Sequence, residues 1–145
     1  MEMFKNFELS EFIESETAEK RRIDNTPTFE VVAHLIEVCE AFLQPLRNAW
    51  GKPITITSGY RCPALNKAVG GAYNSAHLEG YGVDFISEDF DKFCQFARDF
   101  VQKFNIRFDQ LIIEKDSNGD RWLHFSLKHR TGVQRGQIFN LEVER

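Results

Sequence analysis

The segment from Ser58 to Ser75 constrains this chain more than any other. It is rich in Gly, Asn, Ser and Pro, and strand-like runs flank it. Ile54-Thr55-Ile56-Thr57 is β-branched throughout, and Gly82-Val83-Asp84-Phe85-Ile86 follows the loop,. A loop this long in a small domain is usually functional. The chain has 145 residues, which suits one domain with one core,. The expected division is an N-terminal extension over 1–25 and a core over 26–145.

The rest alternates helix and strand signals. Leu9 to Phe12 predicts a short helix with Ser10 as N-cap,. Thr26 and Pro27 predict the start of a longer one, capped by Thr26 with Pro27 at its first position,. Val31, Leu35, Val38 and Phe42 then recur at helical spacing, so the helix runs to about Trp50, with a kink expected at Pro45,. A short helix is expected near Ala64–Ala68. Phe93, Phe96, Ala97, Phe100 and Val101 predict another within Asp89 to Phe104,. Gln110–Glu114 and Trp122–Leu127 read as strands, and the turn chemistry of Asp116 to Asp120 joins them as a hairpin,. Ile138 to Val143 adds a last strand. The fold class is α+β, a small mixed or antiparallel sheet packed with helices.

Charge and cysteine usage exclude several functions. The net charge of -4 is wrong for a nucleic-acid binder and for attachment to an anionic membrane,. No apolar run approaches the ~20 residues of a membrane helix,. The acidic N-terminus carries no secretory signal, so synthesis in the cytoplasm is expected, with export needing outside help. Cys39, Cys62 and Cys94 are too few and too scattered for a disulfide framework, and no CxxC pair offers a cysteine-held metal,. A monomer is the default.

Four histidines bear on chemistry. His34 lies on the long helix and reads as structural or surface, and His129 lies in a solvated polar stretch. His77 closes the loop, and Asp84 follows it across Gly80, Tyr81 and Gly82, small or turn-permitting positions that let both side chains face one point. His124 on a strand supplies a third donor. Three protein ligands with a fourth position open is the catalytic form of a zinc site. His-x6-Asp alone is a weak signal, and two buried histidines without metal is the bland alternative.

Several motifs in order make the pattern specific. Ser58-Gly59-Tyr60-Arg61, Leu65-Asn66, Gly70-Gly71-Ala72, Asn74-Ser75-x-His77-Leu78-x-Gly80 and Asp84 resemble the zinc D-alanyl-D-alanine carboxypeptidase family. That family includes phage endolysins that cut murein peptides, and its fold is shared by the hedgehog signalling domain. Asp109-Gln110-Leu111-Ile112-x-Glu114 and Trp122-Leu123-His124-Phe125-Ser126 resemble its second signature, so the likeness spans roughly Phe7 to Leu127.

The resemblance implies Zn2+ held by His77, Asp84 and His124, and peptidoglycan peptides as substrate. It implies a general base near the last histidine. Relatives often carry an acid three residues before it, but Arg121 stands there, which leaves Glu114 and Asp120 as rival bases,. Arg61 is expected either to hold a substrate carboxylate or polarise its carbonyl, or to fix the loop. Ser75 is expected to bind substrate backbone or to stabilise the loop. Action on periplasmic murein after release, at phage lysis or from a virion, is the expected setting. Two functions follow: a murein peptidase, cutting as carboxypeptidase or endopeptidase, and a noncatalytic zinc-containing module that binds the cell wall.

Overall fold

The computed structural model describes residues 2–144. Two short strands, β1 (Glu2–Phe4) and β2 (Phe7–Glu8), pair antiparallel and lead into α1 (Leu9–Ile13) and α2 (Glu16–Arg21). Glu8, rather than Ser10, caps α1, and its N–H donates to the Glu11 carboxylate at 2.7 Å. The N-terminal segment packs on the rest of the chain: Phe7 and Phe12 are fully buried in the common core, and the Tyr60 N–H donates to the Phe12 carbonyl at 2.7 Å.

The long helix is α3 (Phe29–Val38), a π-helical turn over Cys39–Leu43, and α4 (Gln44–Trp50). Its cap is Thr28, whose hydroxyl accepts from the Val31 N–H at 3.2 Å. Thr26, the expected cap, instead hydrogen-bonds Asp24 through its own hydroxyl, which leaves Pro27 outside the first turn. Pro45 has no N–H to offer its preceding turn, and the wider π turn lies just before it. Gly51 closes the helix in the left-handed region, at φ 76.

The main sheet consists of β3 (Ile54–Ser58), β4 (Gly82–Ser87), β5 (Gln110–Lys115), β6 (Arg121–Ser126) and β7 (Gln137–Glu142). Its order is β3-β4-β6-β5-β7, antiparallel throughout except that β7 runs parallel to β5. Between β3 and β4 lie α5 (Pro63–Ala68) and a 3-10 turn at Ala76–Glu79, and α6 (Phe90–Lys103) links β4 to β5. Alternation assigns the two faces. Val83, Phe85, Leu111, Leu123 and Phe125 are buried toward the helices, where Phe42 stacks on Phe125 with centroids 3.8 Å apart. The opposite face carries Asp84, His124 and Glu114. Cys39 and Cys94 are buried among the apolar residues, which pushes each thiol up to about 12.

Asp109 anchors the return to β7. Its carboxylate accepts from Arg135 Nε and Nη2, both at 2.8 Å, and from the Arg135 N–H at 3.1 Å. Burial opposes ionisation of Asp109, but the bonds and charge of Arg135 outweigh it and lower its pKa. A depressed carboxylate pKa stabilises the fold above the unfolded value, and that contribution is lost as pH falls through the folded one. Arg135→Ala should therefore cost about 1 kcal/mol at neutral pH, a value held down by the exposure of the arginine. Urea unfolding should show the difference between variant and parent shrinking below about pH 4, where an unperturbed aspartate protonates.

Candidate metal centre

Three segments bring three donors together. Asp84 on β4 and His124 on β6 are direct cross-strand partners. His77 arrives from the 3-10 turn, whose start Ser75 caps by accepting the His77 N–H at 3.2 Å. Gly80 ends that turn at φ 78, a conformation that costs glycine little,. His77 Nε2 lies 3.1 Å from Asp84 Oδ1, and His124 Nδ1 lies 2.8 Å from the same oxygen. All three residues are buried, and their donor atoms lie within 4.8 Å of one another.

The surroundings select the protonation states. His77 Nδ1 sits 2.6 Å from the Gly59 carbonyl. A carbonyl only accepts, so Nδ1 carries the proton and Nε2 keeps its lone pair toward Asp84. Burial chiefly lowers the His77 pKa, against the pull of Asp84. Burial alone would raise Asp84, but the charges and hydrogen bonds of both imidazoles outweigh it and hold the carboxyl far below the usual carboxylate range. Burial also opposes charge on His124, yet its bond and attraction to Asp84, helped by Glu114, raise its pKa.

Two ring nitrogens converging on one carboxylate oxygen require a proton or a cation between them. The donor set is two imidazoles and a carboxylate with no thiolate, which suits zinc. Tetrahedral ligands at bonds of ~2.0–2.1 Å stand roughly 3.3 Å apart, near the spacings found here. The residues therefore fit a three-ligand zinc site.

Arg61 backs Asp84. It is 4% exposed, and its Nη2 lies 3.5 Å from Asp84 Oδ2 while Nε donates to Ser58 Oγ and Nη1 to Asn66 Oδ1, both at 3.2 Å. Gly71 makes this possible, because a Cβ there would collide with the Asn66 amide and lie 2.8 Å from Arg61 Nη1. Asn66 also donates to the Ala72 carbonyl at 2.9 Å, tying the loop to itself. The motif Leu65-Asn66 held this residue in plain view, but only the structure shows its role. Asn25 had no sequence signal, yet its side chain bonds the Ile13 and Tyr60 carbonyls and the Cys62 N–H.

Glu114 is buried on β5, two residues along from the partner of His124, and on the same face. Its Oε1 accepts the Trp122 indole N–H at 2.8 Å. Asp120 is exposed in the turn, where its N–H donates to Asp116 Oδ1. Arg121 pairs with Asp91 at 2.8 Å. His34 stacks on Tyr81, whereas His129 contacts Thr131 and lines the same depression as His77 and His124.

Two depressions reach the three donors. One, of about 270 Å3, is lined by Ser75, His77, Glu114, His124 and Leu141 among others. The other, of about 1060 Å3, reaches Arg61, Asp84 and Trp122.

A sequence profile described as Peptidase M15 matches residues 5–115. The matched span holds Arg61, Ser75, His77, Asp84 and Glu114; His124 lies beyond it and joins the centre through its register with Asp84. The zinc D-Ala-D-Ala carboxypeptidase of Streptomyces albus G is 42% identical over 57 residues, which is 39% of this chain and 22% of that protein. The chain thus matches about a fifth of that relative's length.

His77→Ala and His124→Ala should each lose the single zinc that the unaltered protein keeps through dialysis, as read by elemental analysis. A full equivalent retained by His77→Ala would contradict the ligand set.

Proposed function

The chain belongs to the peptidase M15 family, and on that premise we propose that it hydrolyses peptide bonds in the stem peptides of bacterial peptidoglycan. The convergence of His77, Asp84 and His124 beside a buried glutamate at an open cleft carries this reading. The name of the Streptomyces albus G relative supports both the metal and the murein chemistry.

Zinc held by these three residues supplies a Lewis acid that polarises a carbonyl and makes water acidic enough to lose a proton near neutral pH. The protein supplies the rest. Glu114 takes the proton from the attacking water and returns it to the leaving amine. The Trp122 N–H holds one oxygen of Glu114, so the other has a fixed direction for that transfer. Arg61 keeps Asp84 oriented and adds positive charge to the lining of the larger depression. Ser75 fixes the turn that presents His77.

Two depressions that each reach a metal-site residue offer room for more than one terminal residue, which favours cleavage within a longer peptide. Retention of Glu114 at the cleft favours an enzyme over a noncatalytic wall-binding module. Digestion of purified murein by zinc-loaded protein, with products read by mass spectrometry and an EDTA control, tests this. Metal-dependent stem fragments are expected. Free D-alanine alone would make the protein a carboxypeptidase, and zinc-loaded protein with no product would make it a binding module. Glu114→Gln should keep its zinc and lose about 10²- to 10⁴-fold in kcat, whereas Asp120→Ala should stay near the parent.

A further inference from the structure

The site face of the sheet continues past the catalytic residues. Asp84, His124 and Glu114 stand on the successive strands β4, β6 and β5, and β7 extends the same face by one strand. The parallel register sets Phe139 beside Ile112 and Leu141 beside Glu114. Paired residues share a face, so Phe139 and Leu141 belong to the face of the metal centre. Ile138 packs against the core on the other side, and Asn140 accepts from Arg98 of α6 at 2.6 Å.

An exposed edge strand ordinarily shows water polar or charged side chains. Here Phe139 is 37% and Leu141 43% exposed. Leu141 lines the same depression as His77, Glu114 and His124, which makes the apolar strip continuous with the catalytic cleft. Arg98 already donates to Asn140 and to the Phe139 carbonyl, and Arg135 is held by Asp109.

We propose that Phe139 and Leu141 form an apolar shelf that receives an apolar side chain of the peptide substrate. The shelf rests on the peptidase reading. Two strand spacings of ~4.8 Å separate β7 from β6, roughly the span of three extended residues. The recognised side chain therefore lies within about three residues of the bond cut. A peptide laid across the strands meets the catalytic residues and then the shelf in that order. The Glu114 carboxylate beside Leu141 disfavours an acidic side chain at the same place.

Binding to metal-free protein, where no turnover occurs, tests the shelf. The probes are acetylated stem pentapeptides in which each position in turn is alanine or aspartate. One position should show about tenfold weaker binding for aspartate, and that peptide pair should shift the Leu141 methyl resonances. Leu141→Ser and Phe139→Ser should each erase the preference while keeping the parent's circular dichroism and zinc content. The shelf is overturned if no position discriminates, if no peptide binds, if both variants keep the preference, or if the variants alter only self-association. Murein turnover by the parent with the preference intact in both variants overturns the shelf and spares the peptidase. A preference erased by the variants in a protein that cuts no murein does the reverse.

Discussion

The Asp84 carboxylate is the group on which the rest of the site depends. It is buried, it meets two imidazoles through one oxygen, and it faces a guanidinium through the other. Removing a carboxylate from water costs several kcal/mol unless partners repay it. His77, His124 and Arg61 are those partners, and each is fixed by a different device. The Gly59 carbonyl sets the His77 tautomer, sheet register sets His124, and Asn66 with Ser58 sets Arg61. A cation such as zinc would occupy the point where the two imidazole nitrogens and the Asp84 oxygen converge,.

The fold divides its labour by the two faces of one sheet. The helix-facing side is packed with phenylalanine rings, with Phe42 stacked on Phe125 as a rigid base. Residues one position away on the same strands form the proposed site, so the stiffness of the core passes directly to His124, Asp84 and Glu114. Sites built on strands hold their geometry more tightly than sites built on loops. His77 comes from a loop, and that loop is tied down by side chains: Ser75 caps its turn, Asn66 bonds Ala72, and Asn25 bonds Tyr60 and Cys62.

Much of this was legible in the sequence, and the exceptions have physical reasons. Periodicity located the long helices and the sheet strands, because 3.6- and 2-residue patterns record which side is buried. The helix starts were misplaced by a residue or two, since Thr26 and Thr28 are chemically equal caps and only packing chooses between them. Pro45 announced an irregularity but not that a π turn would absorb it. His77, Asp84 and His124 were readable through motif order as residues facing one point; the Asp84–His124 register that joins two of them was not. The grip of Trp122 on Glu114 and the bracing of Arg61 by Asn66 are long side-chain contacts with no periodic signature. Phe139 and Leu141 read as an ordinary strand, and their exposure beside the cleft appears only once β7 is placed against β5.

X-ray absorption at the zinc edge of the loaded protein reads the ligands most directly. One zinc per chain is expected, with a shell of nitrogen and oxygen at about 2.0–2.1 Å that includes imidazole scattering and loses part of it in His124→Ala. Sulfur scattering near ~2.3 Å, or a shell unchanged by that substitution, would contradict a centre built from His77, Asp84 and His124.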